Sequence, residues 1–406
     1  MKKDRSSAIY LGLIFVLMAS SSFVIVDPAP VDLLIIISFV LGFFSFFRYS
    51  SALAIPTTFL LIFALANLIS TFVVEDVTRA LYFLSIRAYF IVSWLLFVGI
   101  TRRFGVKAVK IIFSGYIFAS ILAIALGFLA FFHILNWEFL TFAGRPKGLF
   151  KDPNVFGPFL IPVVLYAALE FESSKNKSKL GWAALFLLAS IGSAFSFSRA
   201  AWLNYGISIS SYIVLRVLTA SSRRIAIRRG LTYMSLLLLL LTVSGVLLIA
   251  QPNAADFFIE RAVYHDYDNM RFGTQEAALN DALSSLIGIG PGQAEVIYDY
   301  ATHSSYVRIF VETSWLGVIG FFGFIAVTLN CSFQMVLKSR GWNQGIFIVF
   351  TSAILGILAN SFFIDTVHWR HFWLLLALPW GSYSLSSLTN PPTRSTDDAS
   401  ILTLVD

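Results

Sequence analysis

Cysteine and charge are both scarce in this chain, and each scarcity excludes something. The single cysteine, Cys331, rules out an internal disulfide and a thiolate metal centre. Only 13% of the 406 residues are Asp, Glu, Lys or Arg, about half the share in an ordinary soluble protein. Among the carboxylates of the long loop 251–304, the nearest approach to an acidic pair that could hold a divalent cation is Asp266-Tyr267-Asp268. What is present instead is hydrocarbon: 58% hydrophobic residues, 41 Phe and a mean hydropathy of +0.80.

Apolar windows of about 17–25 residues recur with almost no charge, the length needed to cross a bilayer as a helix. They predict an all-α polytopic membrane protein with twelve spans, near 8–26, 32–47, 52–73, 80–100, 108–132, 156–171, 180–197, 200–218, 231–250, 305–329, 342–363 and 372–388. The first follows a basic start but is long enough to span, so it reads as an uncleaved helix. Residues 1–388 then form one transmembrane domain, and 389–406 a short disordered cytoplasmic tail.

Orientation follows from charge. With the N-terminus in the cytoplasm, the inside segments collect nineteen of the 29 Lys and Arg residues, and the Arg223, Arg224, Arg228, Arg229 cluster alone would set the topology. Both termini are expected in the cytoplasm. The net charge of +7 is thus an orientation signal with secondary contact to anionic lipids, and supports no nucleic-acid binding.

The other ten cations need a different explanation. Arg87 stands mid-span, where it would pair with a carboxylate inside the bundle or face a groove for a lipid tail. Arg79, Arg145, Lys147, Lys151, Arg199, Arg261, Arg271, Arg308 and Arg370 fall at or beyond the opposite face, against the topogenic bias. Most lie in the loop 133–155, the turn Ser196-Phe197-Ser198-Arg199 and the long loop 251–304, and these segments are expected to converge on one side of the membrane.

The long loop is otherwise acidic. Within it Leu279, Ala282, Leu283, Leu286 and Ile287 recur at helical spacing before Gly288, predicting an amphipathic helix that ends there. The following Gly288-Ile289-Gly290-Pro291-Gly292 superficially resembles a phosphate loop, but no strand precedes it and no Lys or Ser follows in place, which favours a flexible turn. Next comes Thr302-His303-Ser304-Ser305-Tyr306, with Glu312 nine residues after the histidine. A histidine at a helix mouth can shuttle a proton near neutral pH, or simply hydrogen-bond a loop carbonyl. Asp152-Pro153-Asn154 carries the signature of a turn and helix start, and a direct substrate contact is the other reading.

Gly-x-Phe-x-Asp-Pro-Asn before a span, Ser-x-Ser-Arg between two spans, an Arg in a large loop and His-Ser-x-Tyr followed by Glu resemble the bacterial O-antigen ligase and polymerase superfamily over residues 140–330. The resemblance implies a C-type membrane glycosyltransferase fold in the bacterial cytoplasmic (inner) membrane. It also implies transfer of a glycan from a polyprenyl-diphosphate donor to a glycolipid or growing glycan, with no metal and no cofactor. Carried over, Arg199 and Arg271 hold the diphosphate with help from Arg145, Lys147 and Lys151, and His303 accepts the proton of the attacking hydroxyl. Asp152 and Glu312 orient these groups, and Arg87 completes the substrate-binding set. Two positions depart from the pattern: Ser314 stands where many members have Gly, and Ser304 where they have Asn. Ligase and polymerase branches share these motifs, and the short chain favours the ligase. A transporter or flippase for a lipid-linked sugar is the competing class; it should show related halves, and no internal repeat is visible.

Overall fold

The computed structural model describes residues 2–45, 47, 50–175, 177–250, 252–263, 266–298 and 302–382. The expected tail at 389–406 lies outside them. Among the described residues fifteen α-helices make up most of the chain: α1 (Lys2–Ala19), α2 (Pro30–Ser45), α3 (Ala54–Ser70), α4 (Val77–Phe104), α5 (Val106–Phe131), α6 (Pro153–Ser173), α7 (Lys177–Ala194) and α8 (Arg199–Leu218) come first. Then follow α9 (Arg223–Ala250), α10 (Pro252–Ala262), α11 (Asp266–Ser284), α12 (Ala294–Ile297), α13 (Ser305–Lys338), α14 (Gly341–Asn360) and α15 (Arg370–Ser382). Each apolar window overlaps a helix in its described residues, though the first helix stops at Ala19, short of the expected 26. Among the described residues seven helical segments are long and apolar enough to cross a membrane, namely Ser51–Val73, Val77–Phe104, Val106–Phe131, Pro153–Ser173, Arg223–Val246, Ser305–Lys338 and Gly341–Asn360.

The windows differ in how they are used. Along α6 every residue from Phe156 to Leu169 is buried, and α14 is buried almost as completely, as expected of helices that are apolar all round and sit inside a bundle. Two internal prolines, Pro158 and Pro162, are tolerated in α6 because packed neighbours shield the disturbed ladder. By contrast α9 exposes Leu231, Met234, Leu238, Leu241 and Ile249, as a helix facing hydrocarbon would.

The long helix α13 is two helices joined at a break. Its 34 residues would reach about 51 Å if straight, far beyond the ~30 Å hydrocarbon core. Ser314 divides it with φ 51° and ψ −161°, a conformation almost reserved for glycine, so this serine stands where the backbone favours Gly. Ser314 Oγ donates to the Ser285 carbonyl at 3.1 Å, which offsets part of the strain. Ser314→Gly should therefore melt at or above the wild-type temperature, whereas Ser314→Val should lose about 2 kcal/mol or more. Thermal unfolding of the purified variants checks this, and a clearly lower melting temperature for Ser314→Gly would refute it.

The long loop contains more order than its sequence suggests. The amphipathic helix expected to end at Gly288 is α11, and it stops at Ser284. Its buried face is Gln275, Ala278 and Ala282, packed on Val307, Phe310 and Val311 of α13, while Leu279, Leu283 and Leu286 point outward. Small alanines let the two helices approach closely, and this outweighs burial of the larger leucines. The glycine-rich run after it is no flexible turn. Ile289 N donates to the Val311 carbonyl (2.9 Å) and Gly290 N to the Glu312 carbonyl (3.0 Å), and a Cβ on Gly288 would lie 2.3 Å from the Glu312 carbonyl carbon. Glycine at 288 is a packing requirement, because the run lies directly on the α13 backbone.

Candidate functional site

Three segments meet at one end of the bundle. Between α5 and α6 the chain forms a two-residue ribbon, β1 (Thr141–Phe142) antiparallel to β2 (Arg145–Pro146), turned by Ala143 and Gly144 with φ 48° and 73°. Two left-handed residues in succession are what a tight hairpin turn matching strand twist requires. The hairpin aims Arg145 inward, where the buried guanidinium donates to the Ser196 carbonyl from Nε (3.0 Å) and Nη2 (2.9 Å) and to Asn154 Oδ1 at 3.2 Å. Lys147 is buried beside it and donates to the Lys151 carbonyl at 3.5 Å. Asp152 caps α6 by accepting from Asn154 N at 2.6 Å, so the turn-and-helix-start reading describes its observed contact. A Cβ at Gly157 would meet Ser196 Oγ at 2.4 Å, so glycine there lets α6 lie against the turn between α7 and α8.

That turn is held from several sides. Phe197 has φ 49°, Ser198 caps α8 by accepting from Ala201 N at 3.3 Å, and Arg199 is the first residue of α8. The half-buried Arg199 reaches the third segment, with Nη1 3.5 Å from the Val263 carbonyl. Phe257 and Phe258 of α10 pack on Phe197, with ring centroids 5.3 and 4.9 Å away. The result couples a guanidinium to a helix N-terminus, where unpaired amide donors and the helix dipole both favour an anion. Arg271 lies within α11, and its side chain is outside the described residues, as are those of Asp266 and Asp268.

His303 is half-buried immediately before α13. Its neighbours tie it to the end of α14: Ser305 N donates to the Ser361 carbonyl at 3.0 Å, and Tyr306 OH to the Leu358 carbonyl at 2.7 Å. A Cβ at Gly356 of α14 would touch Ser208 and Asn204 of α8, so α14 bridges the start of α13 to the helix that begins with Arg199.

Glu312 and Arg87 belong to a separate buried network: Arg87 pairs with a carboxylate inside the bundle, one of the two readings open for it, and Glu312, expected to orient substrate-binding groups, contacts protein partners. The Glu312 carboxylate pairs with Arg87, accepts from Arg308 Nε at 3.0 Å and from Gly292 N at 3.0 Å, and is wholly buried. Arg308 also meets Asp365 (2.8 Å) and Glu295 (2.5 Å), and Glu295 meets Arg79 at 3.2 Å. Three guanidiniums thus face three carboxylates. Burial works to raise the Asp365 pKa, but His368 and Arg308 beside it more than offset this and hold the carboxyl well below the usual carboxylate range.

A further cluster joins Lys151 and Arg370, two cations marked in the sequence, to His368, Asp365, Asp32, Tyr89 and Asp27, which were not among the expected site residues. His368 Nδ1 lies 2.8 Å from Asp365, an arrangement that orients an imidazole. Arg370 grips Asp32 through Nε and Nη2, both at 2.6 Å, and Tyr89 OH donates to the same carboxylate at 2.6 Å. Lys151 pairs with Asp27. These groups ring the mouth of an apolar cavity of about 600 Å³ between α1, α2, α4, α6 and α15. Arg370 carried a signal, being a cation against the topogenic bias, but Asp32 carried none because its partner is 338 positions away. Among the described residues no three His, Cys, Asp or Glu side chains gather as a metal site would require. No family model matches the chain, and no characterised protein matches it either.

Proposed function

We propose that the protein is a twelve-span enzyme of the bacterial cytoplasmic membrane that transfers a glycan from a polyprenyl-diphosphate carrier to a sugar hydroxyl at the extracytoplasmic face, as an O-antigen ligase does. The observation that carries this reading is the junction of Arg145 with the Ser196 carbonyl, which seats the cationic loop on the turn that presents Arg199. An anion entering there would meet a guanidinium and a helix N-terminus together. In the reaction the acceptor oxygen bonds to the anomeric carbon, the bond from that carbon to the diphosphate oxygen breaks, and its electron pair leaves with the diphosphate. Arg199 and Arg271 stabilise that developing charge, since bidentate guanidiniums are strong partners for phosphate in a water-poor site. His303 takes the hydroxyl proton. Arg145, its donors committed to Ser196 and Asn154, acts by positioning the turn.

Purified protein supplied with a labelled lipid-diphosphate-linked glycan and a glycolipid acceptor should form product, and should continue to do so in EDTA. No product with any lipid-linked donor would refute the reading, and activity lost to EDTA and restored by Mg²⁺ would shift the diphosphate role to Asp266 and Asp268. Deletion of the gene should leave full-length glycan on its carrier; single repeat units would mark a polymerase. The orientation is tested in a Cys331→Ser background, where His265→Cys should react with an impermeant thiol reagent from outside and Arg224→Cys should not. The reverse pattern would overturn the topology.

A further inference from the structure

The apolar cavity carries a different kind of ligand. Its wall is mostly hydrocarbon, with Leu17, Ile35, Phe97 and Leu374 among the lining residues, and its volume of about 600 Å³ falls within the ~300–1,000 Å³ range of ligand pockets. Tyr82 and Ser85, which also line it, lie on the exposed face of α4, so it opens sideways as well as at its mouth. Four charged side chains stand at that mouth, two of each sign, and they are not equivalent. Asp32 and Arg370 form a bidentate pair reinforced by Tyr89 and by Ala29 N at 2.8 Å. Asp27 and Lys151 are exposed, and Asp27 is 3.7 Å from Arg370. An exposed pair of that kind is weak, so a ligand can open it. Deeper in the wall, His371 is buried and its Nε2 has no hydrogen-bond partner, and the same is true of Nε2 of His368. A purely hydrocarbon occupant would leave those nitrogens unsatisfied, whereas an ester or head-group atom would meet them.

We propose that this cavity binds one chain of a zwitterionic phospholipid, whose phosphate takes Lys151 and whose ammonium takes Asp27. The balance of charge selects the head group. A phosphate alone would gain Lys151 but leave Asp27 facing like charge, and a diphosphate would meet more repulsion still, so the site is distinct from that of an anionic donor. The inference holds whether or not the chain transfers glycans.

The test uses the full chain in detergent with phosphatidylethanolamine or phosphatidylglycerol of identical acyl chains, the retained lipid being counted by native mass spectrometry. Wild type should retain the ethanolamine lipid about fivefold over the glycerol lipid, the worth of one exposed ion pair. Asp27→Lys should reverse the preference, and Ser85→Trp, at an exposed position on the side opening, should lower retention of both while leaving the melting temperature unchanged. Equal retention of the two lipids by wild type, or a preference untouched by Asp27→Lys, would overturn the proposal.

Discussion

Arg199→Ala is expected to reduce glycan transfer roughly 10²-fold or more, the loss seen when one pre-organised donor to a developing anion is removed. Its side chain is half-buried at the first position of α8, with Nη1 3.5 Å from the Val263 carbonyl. If it serves the donor, activity should fall by far more than any change in melting temperature could account for. Arg199→Lys should recover part of the rate, because an ammonium supplies charge but not the planar fork. Donor affinity and turnover should both suffer in Arg199→Ala. In His303→Ala, turnover should drop about a hundredfold with donor affinity near normal, as the loss of a general base alone would give. Wild-type turnover in Arg199→Ala at normal expression would remove it from the site. Lost donor binding with preserved turnover at saturation in His303→Ala would make the histidine a binding residue.

The largest effect on stability should come from Glu312→Ala. The carboxylate is wholly buried, Arg87 is buried against it, and Arg308 depends on it for one of its three carboxylate contacts. Its removal strands the Arg87 guanidinium, which has Nε and Nη1 already without partners and lies 5.8 Å from the Phe63 ring. Breaking a buried pair from one side costs about 3–5 kcal/mol, a large part of a typical folding free energy of about 5–15 kcal/mol. The variant should be recovered in much lower yield and melt far below wild type. Adding Arg87→Met should restore much of that loss, because the stranded charge is gone. A Glu312→Ala protein that melts like wild type would show that the network is not structural, and would return Glu312 to the substrate-binding set.

The fate of Glu312 shows where sequence reasoning reaches its limit. The resemblance implied that the carboxylate nine residues after the histidine orients a catalytic group, and nothing local distinguishes that use from a structural one. The distinction lies with Arg87 and with the Gly292 amide, 225 and 20 positions away. Similarly, Leu279 and Leu283 have the periodicity of a buried stripe, yet the alanines beside them are buried instead, because closeness to α13 decides the packing. Ser314 was legible as a departure from a pattern, but the positive φ that makes Gly suitable there is a tertiary fact.

The sequence by itself determined the apolar helices and their order, since a run of apolar residues in hydrocarbon has no way to satisfy its backbone except locally. It also marked the cations that break the charge bias, Arg199 and Arg370 among them, and the Pro, Asp and Ser residues that start α6 and α8. Only the tertiary structure decided which cations are neutralised by buried carboxylates, which serve as struts such as Arg145, and which stand at a cavity mouth. The reason is that an ion pair or a cavity is made by residues brought together across the whole chain, and local patterning carries no record of a partner more than 200 positions distant.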